Sequence, residues 1–161
     1  MKIIGIIILL FSSVLSYAQI KDYSQRAFDS DTCCWRLLSA SKNYRAAAEL
    51  IVQYMKECSG TKNTHALNWH AGQMFALSND GIQARKYFKK TYSFVYKIGS
   101  DDDGKMWYYY AKGTVAFVER RRKRLQKILR HWEAHYPCTK NYFALKKLYD
   151  NWDLTYAEAS Q

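Results

Sequence analysis

His131 and His135 stand four residues apart, with Cys138 three further on. On a helix the two imidazoles would share a face and offer a divalent metal two nitrogens, with Cys138 as a thiolate. The spacing is not H-E-x-x-H, because Glu133 falls two after the first histidine. A third ligand would have to be Cys138, which suits a disulfide better in an exported chain, so no metal site is expected. His65 and His70 are five apart and do not share a face well. Asp101-Asp102-Asp103-Gly104 resembles the opening of a calcium loop but lacks the alternating ligands and the closing glutamate. It reads as a loop and helix cap. There is no G-x-S-x-G, P-loop or dinucleotide fingerprint. No catalytic residue is assigned, no cofactor is expected, and the chain reads as a non-enzyme.

Charge is the stronger signal. The chain carries a formal +11, which makes an anionic partner worth considering. Residues 105–148 hold twelve Lys or Arg against two acids, Glu119 and Glu133. Arg120, Arg121, Arg122, Lys123 and Arg124 run consecutively. Such a run at a helix start opposes the helix dipole, which invites a binding role. These five residues are the candidate binding patch. Nucleic acid is an unlikely partner for an exported chain without a nucleic-acid-binding motif. Aromatics are the second candidate: Trp107 to Tyr110 cover every side of a helix, so at least one should face outward. Tyr108 and Tyr110 are the assigned anchors.

The elements that must position these residues are helical. Hydrophobic residues make up 48% of 161, with seven glycines and one proline, which fits one packed domain and argues against a turn-dense β fold. Lys2 followed by an apolar run to Leu15 and Ser16-Tyr17-Ala18 reads as a secretory signal peptide over 1–18, cut before Gln19. The run is too short to span a bilayer, and no later segment can. The mature chain is expected to be exported, periplasmic or extracellular. Residues 19–31 read as a flexible lead-in, and 32–158 as one domain. Export permits disulfides among Cys33, Cys34, Cys58 and Cys138. Neighbours such as Cys33 and Cys34 rarely bond each other, so Cys58 and Cys138 are each expected to take one of them if both bonds form.

Apolar spacings of three and four predict helices around Ala46–Met55, Ala66–Ala76 and Ile82–Tyr92, then a helical stretch from Lys105 to Tyr136. Another begins near Thr139. Gly72, Phe75, Ala84 and Phe88 flank the turn Ser78-Asn79-Asp80-Gly81. A shift of 41 maps the four onto Gly113, Ala116, Leu125 and Leu129, and a shift back of 37 onto Trp35, Leu38, Ala47 and Ile51.

This pattern resembles the tetratricopeptide repeat: a small residue where two helices touch, an aromatic one turn on, then Ala and Phe on the second helix. The resemblance covers about residues 33–132, with one good copy and two degenerate ones; Trp35 stands where a small residue belongs. Trp107–Phe117 also resembles small exported bacterial helical-repeat proteins of unknown role. The resemblance implies an all-α array of antiparallel helical hairpins, about six to seven helices, in which Gly72, Phe75, Ala84, Phe88 and Gly113 pack. It implies a turn near Glu119–Arg121. It also brings Cys58 near Cys33 and Cys34, where a disulfide to either would staple the first hairpin. The implied function is an interaction module for an unidentified protein or peptide. The competing expectation is association with an anionic envelope surface, lipid or polysaccharide, through the basic C-terminal third.

Overall fold

The computed structural model describes residues 23–58 and 60–161. The expected signal peptide, 1–18, lies outside them. The described residues are all-α, with ten α-helices and no strand. Seven are α2 (Cys34–Ala40), α3 (Tyr44–Glu57), α4 (Thr64–Leu77), α5 (Gly81–Phe88), α7 (Asp102–Val118), α8 (Arg122–His135) and α9 (Lys140–Asp150). Three short ones are α1 (Gln25–Phe28), α6 (Phe94–Gly99) and α10 (Tyr156–Ser160). No helix among the described residues is long and apolar enough to cross a membrane.

Packing follows chain order: α2 on α3, α3 on α4, α4 on α5, then α5 on α7, α7 on α8 and α9. Two buried clusters result. One gathers Phe28, Trp35, Ile51, Leu67, Trp69 and Phe88; the other gathers Phe117, Leu125, Leu129, Trp132, Tyr142 and Leu145. Burial of these faces is the main stabilising contribution.

The segment read as a flexible lead-in differs. Ser24 caps α1, and Phe28 is fully buried with its ring stacked on Tyr54 at 3.9 Å. Two aromatics in a polar stretch, Tyr23 and Phe28, give no periodic signal, yet burial of the second anchors α1 to the core.

Three helix-to-helix turns share one backbone device. Lys42, Asn79 and Arg120 have φ of 60°, 61° and 56°, in the left-handed region. In each turn the following residue's N–H donates to a carbonyl five back: Asn43 to Leu38, Asp80 to Phe75 and Arg121 to Ala116, all 2.8 Å. This is the Schellman-type closure that satisfies carbonyls at a helix end. The third turn divides Lys105–Tyr136 into α7 and α8.

Close helix approach occurs at two glycines. A Cβ on Gly72 would lie 2.6 Å from the Phe88 ring. A Cβ on Gly113 would lie 2.5 Å from Leu145 of α9. The sequence alignment sets Leu129 of α8 where Phe88 stands, but it is Leu145 that fills the space over Gly113. Phe75 stacks on Tyr87 at 5.5 Å, and Ala84 is buried.

Candidate functional site

The basic run lies at the third turn, and the structure divides it. Arg120, in left-handed backbone, turns its guanidinium to the C-terminal segment. It donates to the Trp152 carbonyl at 2.6 Å and the Leu154 carbonyl at 3.0 Å. Arg121 and Arg124 face Glu119, at 3.2 and 3.8 Å. Arg122 lies over the Tyr149 ring at 5.3 Å. Lys123 alone of the five is exposed with no polar or ring contact among the described residues.

Glu119 is the centre of this arrangement. Its side chain is only 7% exposed, and Arg85 and Lys89 of the preceding helix pair also reach its Oε1, Lys89 at 3.3 Å. Burial alone would raise its pKa. Hydrogen bonds from Arg85 and Lys89, with the charges of Lys89 and Arg121, outweigh that and hold it below the ordinary value. Oε2 has no hydrogen bond of good geometry, so its contacts with Arg121 and Arg124 are electrostatic. The other acid of the region, Glu133, accepts a hydrogen bond from Tyr142, which raises that phenol to about 12. Both acids thus have partners within the fold. Lys123, Lys127 and Arg130, spaced four and three along α8, are left as its solvated cationic face, with no ion pair among the described residues.

Of the two aromatic anchors, Tyr108 is corrected by its burial. Tyr108 is 6% exposed, in the C-terminal core, edge-on to Tyr92 and Tyr109 and under the Lys112 ammonium. Tyr110 is half-buried between both cores, beside Trp69 and Trp107. The chain meets its four consecutive aromatics by packing α7 on several sides: Tyr108 is enclosed, while Tyr110 keeps an edge in a cleft that it lines with Gln73, Met74 and Tyr156.

The cysteine expectation is corrected too. The disulfide joins Cys33 to Cys34, with Cα atoms 3.7 Å apart. Cys33 is extended at the start of α2 and Cys34 is left-handed at φ 57°, a turn that brings adjacent side chains to one side. Cys138 is an exposed thiol. His131 and His135 stack at 4.2 Å, and the His135 Nδ1 lies 2.8 Å from the His131 carbonyl. Burial, His135 and Lys97 lower the His131 pKa. No group of three His, Cys, Asp or Glu able to hold a metal occurs among the described residues.

A cleft of about 510 Å³ lies between α3 and α5, floored by Phe75 of α4. Its rim carries Val52, Gln53, Lys56 and Gln83. Arg45, at one end, is tied to Glu49 at 3.0 Å and to Asp80 at 3.1 Å. Gln53 donates to Glu57. The lining mixes amides, both charge signs and an apolar floor, without a nucleophile poised beside a base. Sequence reasoning passed over this cleft because its lining comes from three helices, α3, α4 and α5, and no local pattern marks the residues as one surface. It passed over Glu119 as well, although an acid directly before five bases was the available signal.

In comparisons with known proteins no family model matches this chain, and neither a curated protein nor a solved structure matches it.

Proposed function

We propose that the protein is an exported, non-catalytic helical-repeat module that binds another protein or peptide. The cleft between α3 and α5 carries this reading. It is open, apolar at the floor and rich in amide and charged groups at the rim, a composition suited to a peptide held by its backbone and a few side chains. The three turns with one closure geometry, at Lys42, Asn79 and Arg120, support the repeat reading, since their spacings of 37 and 41 are those of the sequence alignment.

Of the basic run, Arg120, Arg121 and Arg124 already have internal partners, so the contribution of charge falls to Lys56 at the cleft and Lys123 on α8. The test is affinity capture from the envelope fraction of the source cell with the tagged chain from Gln19, beside a Val52→Arg, Gln83→Arg variant that obstructs the cleft. A stoichiometric protein captured by the first and lost by the second is the expected result. Equal capture by both moves the site away from the cleft, and no captured protein in either overturns the module reading.

A further inference from the structure

The helix α6 is held through Tyr96, which packs against the C-terminal core and lies 6.0 Å from the His65 ring, but none of its six residues is fully buried. Phe94, Val95 and Ile98 are 63%, 70% and 68% exposed. Their spacing of one and four places them on one side of the helix. The connection that contains α6, residues 89–101, is thirteen residues, while residues 58–63 make the corresponding link from α3 to α4 in six. Joining the helices therefore does not require α6, and folding does not explain three solvated apolar side chains on it.

The segment leading to this knob is basic, although Arg85 and Lys89 are paired with Glu119 and Lys86 and Lys90 lie over the Tyr87 ring, which leaves Lys97 as the cation beside it. Residues 81–100 contain Arg85, Lys86, Lys89, Lys90 and Lys97 and no acid. Lys97 Nζ lies 5.7 Å from the Phe94 ring centre. It is also close enough to His131 of α8 to help lower that imidazole's pKa. The Lys97 charge is thus felt at α8, whose solvated face carries Lys123, Lys127 and Arg130. Of the acids after α6, Asp101 caps the Gly104 N–H at 3.0 Å and Asp102 pairs with Lys105 at 3.2 Å. Asp101, Asp102 and Asp103 are all exposed and keep their charge, and the cations that outweigh them lie on α8, where Lys123, Lys127 and Arg130 have no ion pair among the described residues.

We propose that the exposed apolar side of α6, with Lys97 and the cationic face of α8, docks the protein onto an anionic lipid bilayer. Charge complementarity selects this occupant. A stable protein interface takes about 800 Å² from each partner, more than three side chains on a six-residue projection supply. A second copy would bring the same cations against themselves. A bilayer interface accepts a shallow apolar wedge when cations beside it meet anionic headgroups. The surface is separate from the α3–α5 cleft, so its failure leaves the peptide-binding reading untouched.

The test is sedimentation of the chain from Gln19 with vesicles of phosphatidylcholine alone or mixed with phosphatidylserine. The apolar leader is omitted because it would enter vesicles by itself. Two variants accompany it: Phe94→Ser, Val95→Ser, Ile98→Ser, and Lys97→Gln, Lys127→Gln, Arg130→Gln. All six positions are outside the buried cores, so an unchanged melting temperature is the control for folding. The parent should pellet with the anionic vesicles, release at high salt and stay in solution with phosphatidylcholine. The apolar variant should bind at least tenfold less, on the order of what losing three inserted side chains implies. The charge variant should lose about fivefold per cation. A Phe94→Trp chain should shift its emission to the blue on the anionic vesicles. Equal pelleting by parent and apolar variant overturns the proposal. So does a parent that ignores every vesicle, including one whose apolar variant instead loses capture of an acidic protein.

Discussion

Asn79 and Arg120 hold the same place in two turns of nearly identical backbone, but they keep it by different means. At Asn79 the residue type itself tolerates left-handed φ, and Asp80 then caps α5 by accepting from the Gln83 N–H at 3.1 Å. The turn is sufficient within itself, with one outside tie to Arg45. At Arg120 the residue type disfavours the conformation, and Arg121 gives α8 no side-chain cap. What the second turn lacks locally is supplied from far along the chain: carbonyls of Trp152 and Leu154 for Arg120, and Glu119 for the neighbouring cations. The same geometry is encoded once by local chemistry and once by tertiary contacts. A basic run that reads as a binding patch is therefore in large part the mortar of its own turn.

The largest expected effect comes from removing the centre of the second turn. Glu119→Gln leaves Arg85, Lys89, Arg121 and Arg124 facing each other, and should lower stability by about 2–3 kcal/mol in chemical denaturation. Its pH dependence has a definite sign. Because the folded-state pKa lies below the ordinary 4.5, Glu119 stabilises the fold at neutral pH, and that contribution is lost as pH falls below about 4.5 through the folded value. The glutamine variant should show a flatter acid limb; an unchanged limb would mean that the ion cluster contributes nothing.

Next come the glycines that set helix spacing on either side of the comparison. Gly72→Ala meets the buried Phe88 ring and Gly113→Ala the buried Leu145 side chain. Overpacking of about 1–3 kcal/mol less the helix-propensity gain of about 1 leaves each roughly 1–2 kcal/mol less stable. Thermal melts would show it, and a stabilised Gly113→Ala chain would mean that α9 yields where α5 does not.

Glycine at the two turn positions should give opposite signs. Asn79→Gly relieves left-handed backbone and should stabilise by up to about 1 kcal/mol. Arg120→Gly gains the same relief but loses two charge-assisted hydrogen bonds, for a net loss of about 1 kcal/mol. If both variants gain stability, the reach to Trp152 and Leu154 is dispensable. The smallest effect belongs to the cystine. A bond between adjacent residues closes almost no loop, so reduction should change stability by about 1 kcal/mol at most, against about 3 for a bond to Cys58. A larger loss would mean that the turn at Cys34 depends on it.

Much of this was legible before the structure. Helix class and the break near Glu119–Arg121 follow from apolar spacing and from the offsets of Gly72 and Gly113. The rest depended on partners distant in sequence. Nothing local distinguishes Tyr108, enclosed by Tyr92 and Tyr109, from an exposed tyrosine. Nothing local separates Phe94 and Ile98, which are solvated, from Leu125 and Leu129, which share their spacing of four and are buried. Phe28 lies in a mostly polar stretch, and partners far along the chain, Tyr54 stacked on its ring among them, make it part of the core. The disulfide was misread because the general rarity of adjacent bonds says nothing of a particular left-handed turn.

The ring of Tyr156 meets Phe88 at 6.4 Å and Phe117 at 6.2 Å, and touches both cores. The seam between the two halves is thus closed by a residue synthesised after everything that it joins. As the chain emerges from a ribosome or a translocation pore, the α2–α5 half waits for α7, whose Ala111 and Val115 belong to its core. The α7–α9 half keeps an open flank until α10 supplies Tyr156 and the buried Ala159. Order of emergence becomes order of assembly, and the interval before Tyr156 appears is the time when the seam is open to solvent, chaperones and proteases.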